Sequence, residues 1–137
     1  GAAGDFTTAP EISQLFGEVL AVWCALTWES MGRPAPVNLV ELGPGRGTQM
    51  ADVTRTLARI APDLAASARV HLVETSPALR AKQRAALAEY GVEWHDTFSS
   101  VPVGPMILLA NEFFDALPVR QFVRVDGAWR ERLVDWD

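Results

Sequence analysis

The sequence predicts an α/β fold of the doubly wound type, a mostly parallel sheet with helices packed against it. Three observations carry this expectation. Short, mainly apolar runs at 37–42 and 105–110 read as buried strands, and the stretches 69–74 and 92–94 as two more strands between them. Helix-period stretches separate the first three runs, and crossovers of that length join parallel neighbours. Gly43, Gly45 and Gly47 follow the first run in VELGPGRGT (Val40 to Thr48), where a strand ends and a helix begins. Doubly wound sheets bind ligands there, at the carboxyl ends of their strands.

Each element can be justified in order. Pro10-Glu11 suits a first helical turn, where a missing N–H costs nothing and a carboxylate meets the positive end of the dipole. Ile12, Leu15, Phe16, Val19, Leu20, Trp23 and Leu26 then recur at helical spacing, until Gly32-Arg33-Pro34 ends the helix. Val37 to Leu42 is the first strand. A second helix runs from Thr48 to about Ala61 with Met50, Val53, Leu57 and Ile60 on one side, closed by Pro62. Arg69 to Glu74 is the second strand, and Ser76-Pro77 supplies an N-cap and first residue for a helix reaching about Tyr90, with Gly91 as its terminal glycine. Val92 to Trp94 and Pro105 to Ala110 are strands three and four. Pro118 to Val125 and Trp129 to Trp136 flank Asp126-Gly127, a hairpin turn signal. Crossover helices imply a sheet covered on both faces.

No repeat or linker divides the chain, so residues 1–137 are expected to form one domain. Both ends look cut, so the chain is expected to be a fragment of something longer. Of the 137 residues, 49% are hydrophobic and 21% charged, values with which a core can form. The net charge of −5, with scattered Lys and Arg, argues against a nucleic-acid surface. A single cysteine, Cys24, excludes an internal disulfide and reads as a small core residue. His71 and His95 lack HExxH-type spacing, so no metal site is expected. No apolar run reaches the roughly 20 residues of a membrane span, and no signal peptide opens the chain. An intracellular setting is the simplest reading.

The residues after each strand carry the functional signal. Glu41 and the glycines 43, 45 and 47 would let backbone N–H groups approach a ligand at the positive end of the next helix. A P-loop needs a lysine that is missing here, and a dinucleotide fingerprint needs glycine at Thr48. Glu74, after strand two, is placed to hold a ribose diol, or else to help Ser76 cap its helix. Asp96, after strand three, is a candidate acceptor for an adenine amino group, or else a polar loop residue. Strand four emerges into Asn111-Glu112-Phe113-Phe114-Asp115, an amide and two acids around paired aromatics. This is either helix-start chemistry or a floor and clamps for a cationic substrate.

Read together, GDFTTAPEISQLFGE (Gly4 to Glu18), LVELGPGRGT (Leu39 to Thr48), VETSPALRAKQ (Val73 to Gln83), WHD (Trp94 to Asp96) and LLANEFFDALPVRQF (Leu108 to Phe122) resemble the MidA-like family of class I, Rossmann-like S-adenosylmethionine-dependent methyltransferases. The resemblance implies S-adenosyl-L-methionine as cofactor, with Glu41, Gly43, Gly45, Gly47 and Thr48 around its methionine end, Glu74 on the ribose and Asp96 near adenine. It implies that the last strands of the sheet are missing from this chain. It also implies protein arginine methylation in respiratory complex I maturation, hence a protein substrate, in a bacterial-type cytoplasm or a mitochondrial matrix. Glu112 and Asp115 are the candidates for orienting the acceptor, with Asn111 holding cofactor or substrate and Thr7, Thr8 and Glu11 closing over the site. Three alternatives stand beside this: a non-catalytic assembly module of the same fold, a small-molecule methyltransferase, and a dinucleotide-dependent oxidoreductase, which Thr48 disfavours.

Overall fold

A computed structural model describes residues 14–134. The expected start of the first helix at Pro10, the candidates Thr7, Thr8 and Glu11, and Trp136 lie outside them. The elements are α1 (Gln14–Ser30), β1 (Val37–Leu42), α2 (Thr48–Ile60), α3 (Pro62–Ser67), β2 (Ala68–Val73), α4 (Pro77–Ala86), β3 (Val92–His95), β4 (Met106–Leu109), β5 (Gln121–Val125) and β6 (Ala128–Arg132), with 3-10 turns at Phe98–Ser100 and Phe114–Ala116.

Four strands form a parallel sheet in the order β3-β2-β1-β4. The chain winds outward from β1 through β2 to β3, then returns to the other side of β1. Strand order therefore reverses between β1 and β4, the place where such a sheet opens a crevice. All six residues of β1 are buried, as expected for a central strand. β5 and β6 form a separate antiparallel ribbon around Asp126 and Gly127, whose φ values of 50° and 80° fit a two-residue hairpin turn.

The main core lies on the helical face of the sheet. Leu39, Leu72 and Ile107 from the strands meet Cys24 of α1, Met50, Val53 and Leu57 of α2 and Leu64 of α3. Each fully buried aliphatic side chain contributes on the order of 1.5–3 kcal/mol. The opposite face carries a smaller cluster, Val40, Leu42 and Val101, with Met106, Leu108 and Phe113 against it. Among the described residues no α-helix covers this second face. The expectation of helices on both sides is corrected: the connection from β3 to β4 is loop and 3-10 turn, not helix.

The buried side of α1 also departs from its apolar periodicity. Leu15, Val19, Trp23 and Leu26 are exposed, whereas Gly17, Ala21, Cys24 and Trp28 face inward. The reason is close helix packing. A Cβ on Gly17 would meet the Cβ of Asp52 in α2, so small residues decide which face can approach. At its end α1 closes in a Schellman pattern, with Arg33 N–H bonded to Trp28 O and Gly32 N–H to Glu29 O.

Three boundaries differ as well. Pro62 ends α2 but opens the short α3, and Ile60 is half exposed rather than inward-facing. α4 stops at Ala86, with Leu87 N–H on Gln83 O, and Gly91 is not in the left-handed conformation. β3 extends to His95, so that residue belongs to the strand rather than to the loop after it.

Candidate functional site

The glycine loop rises from the end of β1 at the reversal of strand order. Gly43 N–H continues the β1–β2 ladder by bonding Val73 O at 3.1 Å, and Gly47 N–H bonds Pro44 O at 2.8 Å to close the turn. Gly43 has φ 60°, and a Cβ there would lie 2.6 Å from Cδ2 of Phe113. Conformation and space both demand glycine. Thr48 then begins α2, whose free N–H groups face the loop.

Glu41 sits beneath this loop, in register with Leu72 on one side and Leu109 on the other. Its side chain is buried, and among the described residues Oε2 has no hydrogen-bond partner. Burial raises its carboxyl from the ordinary 4.5 to about 8. A buried carboxyl with an unfilled acceptor position calls for a donor from outside the described residues.

Glu74 and Asp96 follow the ends of β2 and β3, which are held together there by Glu74 N–H on His95 O. Oε1 of Glu74 accepts Ser76 N–H at 2.8 Å, so the helix-capping contact is present. The carboxylate nevertheless stays turned to the glycine loop, because Gln83 lies between them. Gln83 Nε2 bonds Gly45 O at 2.8 Å and lies 3.4 Å from Glu74 Oε2, while its Oε1 accepts Trp94 Nε1–H at 2.9 Å. Arg80 bonds Glu74 O through Nε at 2.7 Å and Asp96 Oδ1 through its guanidinium at 2.8 Å. Asp96 itself is largely exposed. One helix face of α4 thus ties the glycine loop to the two acids.

The segment after β4 divides. Asn111 lines a cavity of about 310 Å³ with Phe16, Leu20 and Trp23 of α1, the end of β4 and Gln49. Gln49 is buried, and among the described residues neither polar atom of its amide has a partner. Glu112 turns the chain at φ 49°, and a 3-10 turn follows, so Asn111 starts no α-helix. Among the described residues nothing hydrogen-bonds the Glu112 or Asp115 carboxylates, which both face solvent. The paired aromatics do not form one floor. Phe113 packs under Gly43 while Phe114 is 61% exposed.

Gln83, Arg80 and Gln49 were missed in the sequence. The first had a visible signal: Leu79, Gln83 and Leu87 recur every four residues, which places a polar side chain on the buried stripe of α4.

A glycine turn at the strand reversal of a parallel sheet, with acids after the neighbouring strands, is the arrangement of an α/β fold of the methyltransferase kind. The chain belongs to a methyltransferase family: residues 19–137 match the family described as "Putative S-adenosyl-L-methionine-dependent methyltransferase". It is 43% identical over 157 residues to "Protein arginine methyltransferase NDUFAF7 homolog, mitochondrial" of Drosophila melanogaster, covering 98% of this chain and 36% of that protein. To "Protein arginine methyltransferase NDUFAF7, mitochondrial" of Danio rerio it is 40% identical over 159 residues, covering 100% of this chain and 38% of that one. A solved structure of a COG1565 superfamily member from Burkholderia thailandensis, bound to S-adenosyl-homocysteine, superposes with a TM-score of 0.68 at 31% identity, covering 94% of this chain and 33% of the other. The chain therefore spans little more than a third of the length of these relatives.

Proposed function

We propose that residues 1–137 are the cofactor-binding part of an S-adenosylmethionine-dependent methyltransferase that modifies an arginine nitrogen on a protein. The observation that carries this reading is the buried Glu41 carboxyl with its unpartnered Oε2 under the glycine loop. A cationic donor is what that atom lacks, and the amino group of a methionine tail is one. The residues around it fit the rest of the molecule. Backbone N–H groups at Gly45, Arg46 and Thr48 and the start of α2 suit the carboxylate of that tail, Gly47 N–H being taken by Pro44 O. Glu74 keeps lone pairs free for two ribose hydroxyls, and Asp96 stands beside it for the base.

When bound, the cofactor supplies an electrophilic methyl group on a sulfonium, and the protein contributes position and electrostatics. An arginine acceptor is cationic at every working pH, so its charge must be localised before a nitrogen lone pair can attack. Glu112 and Asp115 are the groups we assign to that work, one orienting the guanidinium and one receiving its proton. Asn111, at the mouth of the cavity lined by Gln49, positions cofactor or acceptor. The animal relatives, named as mitochondrial protein arginine methyltransferases, support a protein acceptor and a mitochondrial setting.

Calorimetry with S-adenosyl-homocysteine, S-adenosylmethionine and NAD tests the cofactor. Binding of the first two and not the third is expected; binding of NAD alone sinks the reading. Transfer of a labelled methyl group to an arginine-containing protein, lost in Glu112→Ala, tests the chemistry.

A further inference from the structure

We propose that His71, Glu93 and His95 form a binding site for one divalent transition-metal ion, with zinc the best fit. Parallel pairing of β2 and β3 puts His71 opposite Glu93, and His95 lies two residues further along the same face. One ligand atom from each of the three lies within 4.8 Å of the other two. The facing nitrogens, Nδ1 of His71 and Nε2 of His95, are 3.0 Å apart, and a Glu93 oxygen is 3.9 Å from the first. A tetrahedral zinc with bonds of about 2.0–2.2 Å needs ligand atoms about 3.3 Å apart, within a small adjustment of what is present.

The hydrogen-bond network selects the tautomers. Asn38 donates through Nδ2 to Pro102 O at 2.7 Å, so its Oδ1 is the atom facing Nε2 of His71 at 3.3 Å. Nε2 therefore carries the proton of His71, and Nδ1 presents a lone pair. Ser100 donates its hydroxyl to Thr97 O at 2.8 Å, which leaves the oxygen to accept from Nδ1 of His95 at 3.0 Å. Nε2 of His95 is then also a lone pair. Two lone pairs at this distance repel unless an electrophile lies between them. Each imidazole is meanwhile oriented from behind by an oxygen, the arrangement that fixes metal-ligating histidines. Glu93 is 65% exposed at the outer side, which offers an entry path and leaves a fourth position for water. Such an ion would clip β2 to β3 and, through Ser100, to the loop before β4. The expectation of no metal site rested on spacing along the chain; the register of a parallel sheet supplies the proximity instead.

The test uses the chain without an affinity tag, stripped with chelator and titrated with zinc chloride by calorimetry, with cobalt absorption as a second readout. The chain has only two histidines, so imidazole-dependent binding reports this pair. One ion per chain is expected, with cobalt bands of tetrahedral type. His95→Gln should abolish binding. Glu93→Gln, at an exposed position that leaves folding intact, should weaken it about 10-fold or more. A folded parent that takes up no zinc, as a pair merely sharing a proton would, overturns the proposal. So does unchanged affinity in Glu93→Gln.

Discussion

Gln83 Nε2 donates to Gly45 O at 2.8 Å, which fastens the middle of the glycine loop to the helix that follows β2. The same side chain accepts from Trp94 in β3. A single buried amide thus spans three chain segments around the proposed cofactor site. Gln83→Leu keeps the volume but leaves the Gly45 carbonyl and the Trp94 indole N–H unpaired. Stability should fall by about 2 kcal/mol, the usual cost of stranding such groups. Urea denaturation measures this, and the Trp94 indole N–H resonance should shift. An unchanged midpoint would mean water replaces the amide without loss.

Gly43 is the tightest point of the loop. Gly43→Ala places a methyl group against the Phe113 ring on a backbone with φ 60°. A loss of about 2–4 kcal/mol is expected, combining left-handed strain with overpacking. Pairing the change with Phe113→Ala separates the two causes. In the Phe113→Ala background Gly43→Ala should lose its packing cost and keep only a backbone penalty of about 1 kcal/mol. Full recovery would show that the backbone conformation itself costs nothing.

How much of this was legible depends on the range of the forces involved. The bounds of β1 follow from a short, mostly apolar stretch ended by glycine, and the hairpin from Asp126-Gly127; both are local signals. The inward face of α1 was not legible, because five exposed apolar residues mask a stripe of small ones whose role depends on Asp52 of another helix. Glu74 and Asp96 could be placed after their strands from sequence, but not the Arg80 that joins them. The histidine pair is the extreme case: 24 residues separate its members, and only strand register brings their rings together.

Glu41 gives the protein a pH dependence of defined sign. Its folded value of about 8 lies above the ordinary 4.5, so the neutral folded carboxyl is most favourable below about 4.5. As pH rises from there to about 8 the unfolded chain releases a proton that the folded chain keeps, and stability falls by up to about 1.4 kcal/mol per unit. Glu41→Gln removes this slope. The variant should match the parent near pH 4.5 and exceed it near pH 8, as measured by denaturation across the range. Parallel curves for the two proteins would place the carboxylate with a partner in solution.

Glu74 and Asp96 stand side by side, yet they should not matter equally to cofactor binding. Glu74 is half-buried, its Oε1 fixed by Ser76 N–H and its Oε2 facing Gln83. Asp96 is 80% exposed and already paired with Arg80. Charge-assisted bonds to two ribose hydroxyls in the sheltered position contribute more than one bond to a base edge in water. Glu74→Gln keeps the Ser76 contact, since the amide oxygen can accept it, and should weaken S-adenosyl-homocysteine binding by about 10- to 100-fold. Asp96→Asn should cost less than about 10-fold. Calorimetry of both variants under one buffer decides the ranking. The reverse order would move the ribose from the end of β2 to the end of β3 and reassign both acids.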